Sequence, residues 1–193
     1  MILRVSLLFF IMASALTGMF TSNSKVNDVI SKPGGENAAP ELKGWPESSQ
    51  YVAKEMMAKY GMPGEYTESM LIWKNNTPWK KTILYKEQTE HSFPITHPDQ
   101  LEQTILYKVP EEKFNELAKF DGSVTANRTN GTLTVRCLNE KLNILTVNLA
   151  MEIIQGKKTA EQARLAYYKS ATEIIKGGSP EYSHRLFYEN TDK

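Results

Sequence analysis

His91, His97 and Asp99 stand together in the stretch EHSFPITHPD (90–99), the one segment in which two histidines neighbour a carboxylate. Imidazole nitrogens and carboxylate oxygens are donors that zinc accepts, and the same groups carry general acid–base chemistry. The spacing argues the other way. H-x5-H fits no zinc-ligand pattern, and Pro94 and Pro98 bar a helix that would bring both imidazoles to one face. The sequence therefore predicts a loop bearing surface histidines that lie apart in space, and a domain that carries no stoichiometric metal. The alternative is a metal-dependent or acid–base hydrolase that uses His91, His97 and Asp99.

Cys137 is the only cysteine, so no intramolecular disulfide can form. No histidine lies beside it in sequence to activate a thiolate, and it falls in an apolar alternation, so a small buried thiol is expected there. G-x-S-x-G, H-E-x-x-H, C-x-x-C, P-loop and dinucleotide fingerprints are all missing. No cofactor is predicted.

The elements that would position these residues read as an α+β domain over 45–193. We expect an antiparallel sheet of about four to six strands, with a C-terminal helical pair packed on one face. Ser48 or Ser49 can cap a first helix whose Val52, Met56, Met57 and Tyr60 recur at three- and four-residue spacing. Gly61 and Pro63 end it. Met70–Lys74 and Trp79–Lys86 then form a hairpin around Asn75-Asn76-Thr77-Pro78. In its second strand Trp79, Ile83 and Tyr85 are expected to face the core, with Lys80, Thr82 and Lys86 on the other side.

The pentapeptide TILYK occurs at 82–86 and again at 104–108, which predicts two strands of one sheet flanking the histidine loop. After a short helix opened by Pro110, Asn130-Gly131 marks a two-residue type I′ hairpin turn. Pairing outward from it sets Arg128 opposite Leu133, Ala126 opposite Val135 and Val124 opposite Cys137. Asn139 caps the next helix, apolar on two sides and so central to the core. Thr159 with Gln162 makes a capping box for the last, where Ala163, Tyr167, Ala171 and Ile174 face inward.

Residues 1–18 have one charge, Arg4, then an apolar run and small residues, which predicts a signal peptide. Retention as an uncleaved anchor is the alternative, and membrane contact is expected only in that case. Residues 19–44, punctuated by Pro33-Gly34-Gly35 and Pro40 and lacking aromatic residues beyond Phe20, read as a flexible linker. Without Arg4 the basic and acidic side chains balance, and no basic patch is concentrated enough to predict a nucleic-acid partner.

Gly44-Trp45-Pro46, Tyr60-Gly61-Met62-Pro63, Leu71-Ile72-Trp73-Lys74-Asn75-Asn76, Pro78-Trp79-Lys80 and Phe120-Asp121-Gly122-Ser123 together resemble a family of uncharacterised bacterial exported proteins, over about 45–175. Helix, Gly-x-Pro and a strand ending in Trp are more distantly similar to small outer-membrane-assembly lipoproteins, whose lipidated N-terminal cysteine has no counterpart here. The resemblance implies a periplasmic or extracellular setting and transfers no activity. With no catalytic motif, the expectation is a noncatalytic domain binding an envelope protein or a small ligand, with Trp73, Trp79 and Tyr188 as a candidate interaction surface.

Overall fold

Leu142, Leu145, Leu149 and Ile153 on one side, and Ile144, Val147, Met151 and Ile154 on the other, leave almost no polar stripe. A helix of this kind must be enclosed. In the computed structural model, which describes residues 40–188, α3 (Glu140–Ile154) buries thirteen of its 15 residues. Asn139 caps it, its side chain accepting the Leu142 N–H. The predicted capping box of Thr159 and Gln162 opens α4 (Ala160–Ile175), and Ala163, Tyr167, Ala171 and Ile174 are all buried. The two helices pack as a pair.

They cover a six-stranded antiparallel sheet of β1 (Glu65–Tyr66), β2 (Met70–Lys74), β3 (Lys81–His91), β4 (His97–Leu106), β5 (Thr125–Asn127) and β6 (Thr132–Cys137). The strand order is β1-β2-β3-β4-β6-β5. The first helix, α1 (Glu47–Tyr60), lies over Leu71, Trp73, Leu84 and Leu101. Ile105, Leu133, Val135 and Cys137 pack with α3, α4 and the short α2 (Phe114–Phe120). The α+β class and the helical pair on one face are as the sequence predicts. The signal-peptide reading of 1–18 and the linker reading as far as residue 39 lie outside the described residues. Among those described, no helix is long and apolar enough to cross a membrane.

Several expectations are corrected. Ser48 and Ser49 do not cap α1; Pro46 takes that position, and both hydroxyls bond the Gln100 side chain instead. The faces of β3 are reversed, with Thr82 and Leu84 fully buried under the helices and Tyr85 turned outward beside Glu102 and Arg136. Trp79 precedes the strand, so counting alternation from it gave the wrong phase. The 125–134 hairpin is shifted by two residues: Ala126 pairs with Leu133 and Asn127 with Thr132. Asn127 Oδ1 accepts the Asn130 N–H, and Gly131 has φ 61°, so four residues turn the chain. A shift of two preserves the faces, which is why the alternation looked consistent.

The largest difference concerns 87–103. The segment is not a long loop; β3 and β4 continue through it, leaving only residues 92–96 as connection. Pro98 is tolerated inside β4 because β6 pairs only Leu101–Leu106, so beyond that stretch no strand is present on that side to bond. The β3–β4 register shifts between Leu84, opposite Leu101, and Thr89, opposite Asp99. Residues 85–88 form the resulting bulge.

Candidate metal centre

The β3–β4 connection is short, so the strand ends at either side of it must meet. His91 is paired with His97, and Thr89 with Asp99. Directly opposed residues and those two apart share a face. The histidines, expected to lie apart, therefore converge, with ring centroids 5.1 Å apart. The tip is fixed from outside: Phe93 stacks on Tyr167 of α4 at 5.8 Å, and the Arg164 guanidinium sits 3.9 Å over the Phe93 ring.

One ligand atom from each of His91, His97 and Asp99 falls within 4.8 Å of the other two. His91 Nδ1 is 3.2 Å from Asp99 Oδ2, and His97 Nε2 is 3.3 Å from Asp99 Oδ1. Neither contact has hydrogen-bond geometry, and His91 Nδ1 and Asp99 Oδ1 are buried with no hydrogen-bond partner. His97 Nδ1 lies 2.7 Å from the Ile95 carbonyl, which can only accept, so that nitrogen carries a proton. In the neutral ring the Nε2 lone pair then faces Asp99 Oδ1 and the Cys137 thiol, 3.3 Å away, whose S–H can donate to it. Asp99 Oδ1 is left without a donor, a position that a proton or a cation would satisfy.

The charges respond to this packing. Burial alone would raise the Asp99 carboxyl, but His91 and His97 outweigh it and hold it below the ordinary carboxylate value. The Asp99 contact raises His91, against the opposing pull of its partial burial. His97 and Asp99 are each 5% exposed, whereas His91 stands at the rim. There it joins a cavity of about 360 Å³ with Thr89, Ser123 and Arg136.

Cys137 enters this site although nothing adjacent in sequence signals it. Its Sγ is 3.3 Å from His97 Nε2 and 3.4 Å from the Tyr167 hydroxyl. Burial pushes the thiol well above its ordinary value, which favours the protonated form. The signal that would have revealed the cluster is the near-symmetric setting of His91 and His97 about a five-residue connection between β-rich runs.

The other candidates lie elsewhere. Trp73 and Trp79, expected at an interaction surface, are core residues at 3% and 2% exposure. Their indole N–H groups donate to the Gly61 carbonyl and to Glu140 Oε1. Tyr188 packs edge-on against Tyr107 at 5.7 Å. Glu140 was not singled out by its sequence. Buried at the start of α3, it accepts from Lys59, Tyr60, Trp79 and Gln103, joining α1, the first hairpin and β4. Comparison with protein-family models, with curated proteins and with solved structures finds no match for this chain.

Proposed function

We propose that His91, His97 and Asp99 hold one divalent transition metal, zinc by the nitrogen–oxygen donor set, in an exported bacterial domain. The site would serve metal-assisted hydrolysis or general acid–base chemistry. The observation that carries this reading is the meeting of three donor atoms within 4.8 Å, in a cluster where His91 Nδ1 and Asp99 Oδ1 are buried without a hydrogen-bond partner. The Ile95 carbonyl on His97 Nδ1 supports it, because a second hydrogen bond of this kind fixes the tautomer and aims the other nitrogen at a metal. A metal bound there would supply Lewis acidity and lower the pKa of coordinated water to about 7.

Three protein ligands leave a coordination position open. His91 is the ligand at the rim, so a substrate would approach along its side, through the cavity lined by Thr89, Ser123 and Arg136. The Arg136 guanidinium, stacked 4.3 Å over Tyr85, has a buried Nε with no partner and is placed to orient a polar group. The experiment is metal analysis of purified protein after loading with zinc and desalting. About one zinc per chain is expected, lost in His97→Ala and His91→Ala. Wild-type content no higher than that of His97→Ala would end this reading.

A further inference from the structure

The β4 strand begins at the histidine cluster and ends at Leu106, ten residues or about 30 Å away. A second cavity opens at that far end, with a volume of about 630 Å³, well within the range of small-molecule sites. It lies between the end of α1, the 75–80 turn, α3 and residues 184–188. Among the described residues, the ionisable side chains on its wall other than Tyr188 are all basic: Lys59, Lys80, His184 and Arg185.

These cations are not equally available. Lys59 is paired with Glu140 at 2.5 Å, and His184 is hydrogen-bonded to Ser179. Lys80 bonds only the neutral side-chain amide oxygen of Asn75, at 2.9 Å. Arg185 leans over the Phe187 ring, 5.2 Å from its centre. Neither Lys80 nor Arg185 has a carboxylate partner among the described residues. Trp79, Leu106, Ile144 and Leu186 give the lining an apolar part, and Leu106 is 45% exposed at the end of its strand. Two cations without a carboxylate partner among the described residues, in a cavity that apolar side chains also line, match a ligand with an anionic head and an apolar body.

We infer that this cavity binds a small amphiphilic anion, a carboxylate or phosphate monoester on one apolar chain, with Lys80 and Arg185 holding the head and Leu106 and Ile144 the chain. The site is independent of the metal-binding reading. Isothermal titration calorimetry with decanoate and decyl phosphate, beside decanol and decyltrimethylammonium, tests it. Saturable binding of the two anions is expected, at least tenfold tighter than the alcohol or the cation, and weakened by added salt. The double variant Lys80→Glu, Arg185→Glu, confirmed folded by circular dichroism, should lose at least tenfold in anion affinity. Leu106→Glu should weaken binding without touching the two cations. No saturable anion binding up to millimolar concentration would overturn the proposal. So would equal affinity for decanol, or anion affinity unchanged in the double variant.

Discussion

Glu140 offers the sharpest quantitative test of how the two halves of the core are joined. Its Oε1 accepts from Tyr60 Oη at 2.5 Å, Trp79 Nε1 at 2.7 Å and Gln103 Nε2 at 3.1 Å, while Oε2 accepts from Lys59 Nζ at 2.5 Å. Replacing Glu140 by Ala strands the Trp79 and Gln103 donors, both essentially inaccessible to water, at about 1–3 kcal/mol each. Lys59 is half-exposed and can turn to solvent, so its pairing adds at most about 1 kcal/mol. Glu140→Ala should therefore destabilise by about 2–7 kcal/mol. Glu140→Gln keeps an acceptor at the Oε1 position and loses only the lysine contact, at about 1 kcal/mol.

The assay is equilibrium urea unfolding followed by tryptophan fluorescence. Burial would raise the Glu140 carboxyl, but Lys59, Tyr60 and Trp79 outweigh it and hold it below 4.5. A depressed carboxylate contributes stability that is present above the unfolded value and lost as pH falls through the folded one. Wild type should thus lose stability on acidification below about pH 4.5 more steeply than Glu140→Gln. Equal losses in the Ala and Gln variants, or less than about 1 kcal/mol in Ala, would refute the reasoning.

Two further outcomes follow from the geometry. In metal-free protein, His91 is raised by Asp99, so its protonated form contributes stability that is full below about 6.5 and lost as pH rises through the folded value. Urea midpoints between pH 6 and 8 should fall for wild type relative to His91→Gln, while zinc affinity rises over the same range; parallel midpoints would refute it. Asn148 accepts the Phe187 N–H and donates to the carbonyls of Tyr182 and Arg185. Asn148→Ala should free this segment, at about 3 kcal/mol of local docking, and speed tryptic cleavage after Arg185 by at least tenfold; an unchanged cleavage rate would show that other contacts hold it.

The helical half of the fold was legible because its signals are local. Asn139, Thr159 and Gln162 act within one turn of themselves, and the apolar stripes of α3 and α4 repeat every three or four residues. Strands were legible in existence and not in phase. The two TILYK copies show why: Thr82 and Leu84 are buried in one, while Ile105 is the residue buried at 1% in the other and Leu106 is exposed. Identical pentapeptides on neighbouring strands turn opposite faces to the helices. The same limit hid the cluster of His91, His97 and Asp99, because H-x5-H acquires meaning only when the chain reverses between the histidines and the register sets them opposite. Cys137 reaches His97 only through the packing of β6 against that hairpin.

The bulge at 85–88 settles which environment the cluster meets. Leu101 packs beneath α1 with Val52 and Met56, and its neighbour Gln100 also reaches α1, through Ser49. Gln100 is fully buried, and its side-chain oxygen accepts from Ser48, Ser49 and Gln88, the last a residue of the bulge. Cys137 stands opposite Leu101 and shares its face, and its thiol reaches His97, so the cluster lies at the end of the helical core. An ionised carboxylate without polar neighbours there would be costly, and Asp99 has two imidazoles beside it. The local break in sheet regularity is thus a solvation device: it supplies polar partners where the hydrocarbon interior meets the hairpin, while the strands stay continuous.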